Sequence, residues 1–226
     1  MPFETGIKYE WYAHARPRFE IHSAFEAPKV VLGIFMNKPT YAYDEEGYFP
    51  NNAQFCIGRA DPFLVGVLNS PCAWWFLTQT CTDLQNGYLQ ALLIYQESIP
   101  IPPASDVQRA SIERIVRASV YLTKSTMTNK KSGVSYDPLI LAYWERVLNG
   151  LVYELYFPEE VHGAGLRLFD LVEQAKLPDI NTIPEAKRLQ TLREKFEDLS
   201  DSKHPLRIAL DKLQTLDTVR IIEGKT

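Results

Sequence analysis

Catalytic signatures are what this 226-residue chain lacks most. It contains no G-x-S-x-G and no H-E-x-x-H, so neither a nucleophile elbow nor a metalloprotease helix can be built from it. No glycine-rich loop follows a strand, which removes the usual cradle for a nucleotide or for S-adenosylmethionine. Cysteine is scarce: Cys56, Cys72 and Cys81 are an odd number without a C-x-x-C pair. His14, His22, His162 and His204 put no imidazole beside them, so a zinc centre is not expected. Free thiols in a reducing compartment are the expectation. No apolar run reaches the roughly 20 residues that span a bilayer. The opening MPFETGIKYEWY has acids and no apolar core, unlike a secretory leader. These absences point to the cytoplasm and away from a membrane.

A basic balance is missing too. Twenty-four Lys and Arg face 28 Asp and Glu, a formal charge of −4, which excludes a non-specific nucleic-acid binder held by charge alone. Hydrophobic residues nonetheless make up 46% of the chain, enough for a packed core.

The most informative stretch runs from Asp61 to Pro103. Asp61 and Pro62 spell a helix start, with Leu64, Val67 and Leu68 at helical spacing. Asn69-Ser70-Pro71 breaks or restarts that helix. Trp74, Trp75 and Phe76 are too many large aromatics for a helix lying free on a surface. Asn86-Gly87 is a turn pair, and the apolar run Tyr88 to Tyr95 reads as a buried strand or a short helix. Ile99-Pro100-Ile101-Pro102-Pro103 is a stiff exit.

Upstream, residues from about 8 to 60 read as short strands and turns: Lys29 to Leu32, Ile34 to Met36, Thr40 to Tyr43 and Gln54 to Ile57, with turns at Asp44 to Gly47 and at Asn51-Asn52. Past Pro103 the pattern is helical. Ser105 caps a helix with an apolar stripe of Val107, Ile112, Ile115, Val116 and Leu122. Lys124 to Gly133 reads as a polar link, and Asp137-Pro138 starts a central helix. Pro158 starts another, with Leu166, Phe169 and Val172 inward, followed by Pro184 to Leu199 and Pro205 to Leu216. The expectation is an α+β protein, with a mixed α/β domain over residues 1–103 and an all-helical region over residues 104–226.

The phrase Leu64 to Ser70 (LVGVLNS), the aromatic segment after it and Glu97 to Pro103 (ESIPIPP) together resemble the TaqI-like C-terminal specificity domain. In that family, adenine-specific DNA methyltransferases and fused type IIG restriction–modification enzymes carry such a target recognition domain. Trp11 with Arg16-Pro17-Arg18 agrees, as does Phe25 to Val31 (FEAPKVV), similar to the family's f-x-x-P-K-I strand. Gly150 to Tyr156 (GLVYELY) agrees as well, so the resemblance extends from about residue 10 to residue 157. It implies a sequence-specific module for double-stranded DNA, working with a methyltransferase catalytic domain or subunit. That catalytic half would lie N-terminal and hold S-adenosylmethionine; no cofactor is expected in this chain, and no enzymatic activity of its own.

DNA contact draws on Arg and Lys for phosphate and guanine, and on Asn and Gln for adenine. In or beside the expected turns stand Arg16, Arg18, Lys29, Lys38, Asn51, Asn52, Gln54, Gln85 and Asn86. Each alone is better read as a turn former or solvated residue, the set gaining its meaning from the resemblance, and Lys29 could instead cover the sheet with its stem. Lys124, Lys130 and Lys131 are a second basic candidate, against an ordinary solvated loop.

Two other strings are weaker. Asp61-Pro62-Phe63 invites comparison with the N-P-P-Y signature of amino-methyltransferases, but lacks the second proline and leads into helix. Pro178-Asp179, Glu185 and Lys187 spell the P-D…E-x-K of many nucleases, whose chemistry needs Glu and Lys on a strand. Behind Pro184 they should be helical, about 200° apart around the axis. A rival from a different class is an interaction scaffold in a restriction or phage-defence complex that does not touch DNA. The acidic balance and aromatic-rich helices favour it.

Overall fold

The computed structural model describes residues 22–58, 61–128 and 137–225. It is an α+β fold, with the strands in the first part of the chain and helices filling the rest. After a short helix α1 (His22–Glu26), β1 (Lys29–Gly33) runs between β3 (Ala42–Asp44) and β4 (Gln54–Ile57), antiparallel to both. A second antiparallel sheet places β6 (Leu89–Gln90) between β2 (Phe35–Met36) and β5 (Thr82–Asp83). Ile34 joins the two sheets: its N–H donates to Ala53 at 3.0 Å, and its carbonyl accepts from the N–H of Ala91 at 2.8 Å. Strand alternation sends Val30, Leu32 and Met36 into the core.

The two proline-started helices form as their chemistry dictates. The Asp61 side chain accepts from the N–H of Leu64 at the head of α2 (Pro62–Leu68), and Ser70 accepts from Ala73 at the head of α3 (Pro71–Thr80). Asn69 between them is a staple. Its amide donates to the carbonyls of Tyr41 (2.8 Å) and Val65 (3.0 Å), and its oxygen accepts from the N–H of Tyr41 (3.1 Å). Gly66 is the point of closest approach: a Cβ there would lie 2.9 Å from the γ-methyls of both Ile112 and Val116. Each residue of the phrase G-V-L-N-S thus has a packing or capping task.

Beyond α4 (Leu93–Gln96) and the proline-rich exit come α5 (Asp106–Thr128) and α6 (Asp137–Tyr156). The Tyr156 hydroxyl donates to the carbonyl of Pro100 at 2.6 Å and pins that exit to α6. Ser105 and Gln108 form the reciprocal cap that starts α5. Trp144, Leu151 and Val152 make α6 the centre of the helical layer, flanked by α5, α7 (Pro158–Gly163), α8 (Leu168–Ala175), α9 (Glu185–Leu199) and α10 (Pro205–Leu213), while α11 (Asp217–Ile222) packs on α3. Glu154, buried on α6, receives the N–H groups of Leu168 and Phe169 at 2.7 and 3.0 Å and so caps α8; His162 sits 2.8 Å from its other oxygen. One apolar cluster spans the residues on both sides of Pro103, with α2 laid against α5.

Four local expectations are corrected. The run Tyr88 to Tyr95 is neither one buried strand nor one helix: Leu89 and Ala91 are buried, while Leu93 and Ile94 are exposed. Val107 points outward from the first turn of α5. The segment after Lys124 continues α5 as far as Thr128, with the hydroxyls of Thr123 and Thr126 donating to carbonyls four residues back. The helix begun at Pro158 stops at Gly163, and Phe169 and Val172 belong to a separate helix, α8.

Candidate nucleic-acid interface

Lys29 stands directly opposite Asp44 in the β1–β3 register. Its ammonium bonds the Asp44 carboxylate and the carbonyl of Phe25 (2.6 Å), and the residue has no exposed surface. The remaining lone pairs of Asp44 accept from the N–H of Glu46 (2.9 Å) and of Tyr48 (3.0 Å). Burial alone would raise the Asp44 carboxyl. The Lys29 hydrogen bond, the two N–H donors and the Lys29 charge outweigh it and hold the group below the usual carboxylate range. Lys29 therefore leaves the set of DNA-contacting candidates: the ion pair consumes its charge and fixes the loop after β3.

That loop borders a groove of about 500 Å³, lined by Tyr43, Glu45, Glu46, Tyr48 and Phe49 together with Lys124. Lys124 pairs with Glu46 across it. Carboxylates outnumber cations here, so the groove repels phosphate. Phe49 closes one side against the rings of His22 (5.1 Å) and Phe25 (5.8 Å).

The turn before β4 spends part of its amide chemistry internally. Asn51 accepts from the N–H of Ala53 at 2.9 Å, and Gln54 accepts from the N–H of Asn51 at 3.0 Å. Asn52 is exposed and its side chain makes no hydrogen bond to a described residue. A different situation holds in the ribbon of β5 and β6. Every residue from Thr82 to Tyr88 is exposed, and the Leu84 N–H donates to the Tyr88 carbonyl at 2.7 Å to close the turn. Gln85 and Asn86 lie at the tip, with Asn86 and Gly87 both in the left-handed region (φ 61° and 72°). Their side chains bond no described residue.

The Asn51-Asn52 turn follows the carboxyl end of β1, and the ribbon turn follows that of β2. The pair Gly33–Gln54 precedes Asn51-Asn52 on one side, and Met36–Leu89 leads into the ribbon turn on the other. Lys38, exposed, follows β2. Asn52, Gln85, Asn86 and Lys38 are thus the described candidates whose side chains remain exposed and take no part in the turn bonds of Asn51 and Gln54. Arg16, Arg18, Lys130 and Lys131 lie outside the described residues. The pair Asn86-Gly87 marks the tip in the sequence, whereas Tyr88 opens an apolar run that reads as buried and is exposed.

The two enzyme-like strings take structural roles. Asp61 caps α2 and pairs with Arg109 at 2.8 Å, whose guanidinium lies 4.2 Å from the centre of the Phe63 ring. Glu185 and Lys187 are on helix α9, as expected, while Asp179 accepts from the N–H of Asn181 at 3.0 Å to open a single turn of 3-10 helix. Cys56, Cys72 and Cys81 are free thiols; Cys72 is the buried one, and desolvation pushes its thiol up to about 12. Among the described residues no group of three His, Cys, Asp or Glu could hold a metal, and no helix is long and apolar enough to cross a membrane. Comparison with protein-family models, with curated proteins and with solved structures finds no match for the chain.

Proposed function

We propose that the chain is the sequence-reading module of a restriction–modification adenine DNA methyltransferase, acting in the cytoplasm on double-stranded DNA beside a catalytic half that holds S-adenosylmethionine. The observation that carries the reading is the ribbon Thr82–Tyr88, exposed throughout and tipped by two uncommitted amides. A major groove about 12 Å wide admits a two-stranded ribbon, and Asn and Gln are the side chains that bond adenine there. The order of motifs from Phe25 to Tyr156 supports the same reading through their resemblance to specificity domains. With a net charge of −4, phosphate affinity falls largely to the catalytic partner. The module itself performs no chemistry.

The test is selection of the purified chain against a randomised duplex pool at low and at physiological salt. A motif that persists at the higher salt is the expected result. A pool that enriches no sequence at either salt, with the chain alone and again with a methyltransferase half fused to it, overturns the reading. An interaction scaffold is the second reading, favoured by the exposed Leu92, Leu93 and Ile94 beside the ribbon and by the carboxylate-lined groove.

A further inference from the structure

We infer that the β5–β6 ribbon reads an A·T base pair from the major groove, using the amides of Gln85 and Asn86 for adenine and Leu84 for the thymine methyl. The inference rests on the reading of the chain as a DNA recognition module and adds what the module recognises.

Three observations converge on the tip. Gln85 and Asn86 combine a donor and an acceptor on one planar group, which matches the N6 donor and N7 acceptor that adenine presents. They make no side-chain hydrogen bond to a described residue, whereas Asn51 and Gln54 are engaged within their own turn. Second, Leu84 and Tyr88 flank the turn as cross-strand partners, following the pairs Thr82–Gln90 and Asp83–Leu89. They are 38% and 39% exposed, apolar surface held in place by the ribbon with nothing described to cover it. An aliphatic side chain next to an amide fits the thymine methyl next to adenine. Third, residues 84 to 88 include no Arg or Lys, the side chains that bond guanine O6 and N7. Asp83, an acceptor, alternates onto the ribbon side that carries buried Leu89. The tip therefore lacks the bidentate Arg or Lys partner of guanine and holds the bidentate amide partner of adenine.

Asn86 also allows a clean test, because its left-handed backbone suits glycine. Asn86→Gly removes the amide and keeps the turn, and Gln85→Ala and Leu84→Ala complete the set. Each variant is first checked for a parent-like unfolding transition, then selected against the same randomised pool. The parent motif should contain an A·T pair whose preference falls about tenfold in Asn86→Gly or Gln85→Ala, the other positions staying unchanged. Replacing the thymine of that pair by deoxyuridine, which lacks the methyl, should weaken the parent and leave Leu84→Ala indifferent. If both amide variants return the parent motif intact, the ribbon's role is overturned while the DNA reading stands. If the parent enriches no motif either alone or with a methyltransferase half fused to it, the DNA reading falls and takes this inference with it.

Discussion

Around β1 the interior is closed off by an ion pair, Lys29 with Asp44, whereas between α5 and α6 it is closed by Ile112, Ile115, Leu122, Ile140 and Leu151, each at most 1% exposed. Strands of two to five residues cannot bury enough apolar area to fix their own loops, so this half relies on directed polar bonds. The helices rely on apolar contact and on close approach at Gly66 and Gly150. Glu154 is the helical layer's own buried carboxylate, but it spans helix to helix as a cap rather than holding a loop. The helical half thus closes its interior by apolar packing, while the strand half leaves its turns exposed.

The largest effect that would break this contrast comes from Asp44. Asp44→Ala leaves an ammonium buried without its counter-charge and strips the acceptor from the N–H groups of Glu46 and Tyr48. A loss of roughly 3–5 kcal/mol is expected in denaturant unfolding. Replacing Lys29 and Asp44 together by apolar residues should recover much of it. The same group sets an acid limit. Because its folded value is lowered, its contribution is present above its unfolded value of about 3.9 and is lost as pH falls through the lowered one. Protection of the Glu46 and Tyr48 amides, relative to their intrinsic exchange rates, should fall over that acid range. Protection there that is independent of pH would mean the pair does not hold the loop.

How much of this could be read from the sequence follows from the range of the interactions. Helix starts at Pro62, Pro71 and Pro158 were legible because capping and proline geometry act within four residues. The turn at Asn86-Gly87 was legible for the same reason. Lys29 with Asp44 was not: the partners are 15 residues apart, and a lysine before a β-rich run looks solvated until the register puts a carboxylate opposite it. The segment Tyr88 to Tyr95 misled through composition, since its apolar side chains alternate between core and surface in pieces too short to show a period. Of the candidate interface, the tip was visible and its apolar flanks were not.

A middle-sized effect tests the helical side of the comparison. At Gly66 an added methyl meets two stiff β-branched side chains at 2.9 Å and Leu148 at 3.2 Å, so Gly66→Ala should cost about 1–3 kcal/mol despite its better helix propensity. Gly163 on α7 has nothing within 4 Å of its hypothetical Cβ, and Gly163→Ala should instead stabilise by about 0.4–1 kcal/mol. Chemical denaturation of the two variants side by side reads the difference directly. Equal midpoints would show that α2 can shift away from α5, and that the two parts of the chain are not locked by close approach.

The smallest effect lies where the two halves meet at the surface. Lys124 near the end of α5 reaches Glu46 in the loop after β3, and both side chains are at least half exposed. The hydrogen bond and charge of Lys124 hold the Glu46 carboxyl below its ordinary range, yet water and salt screen such a pair. Lys124→Met should leave the unfolding midpoint unchanged within measurement error at physiological salt, in contrast to Asp44→Ala in the same loop. The two variants share a loop and an acidic groove but differ in burial, which isolates burial as the variable. A Lys124→Met midpoint shifted as far as that of Asp44→Ala would locate the loop's anchor on α5 instead of β1. The strand half would then owe its order to the helical layer and not to its own ion pair.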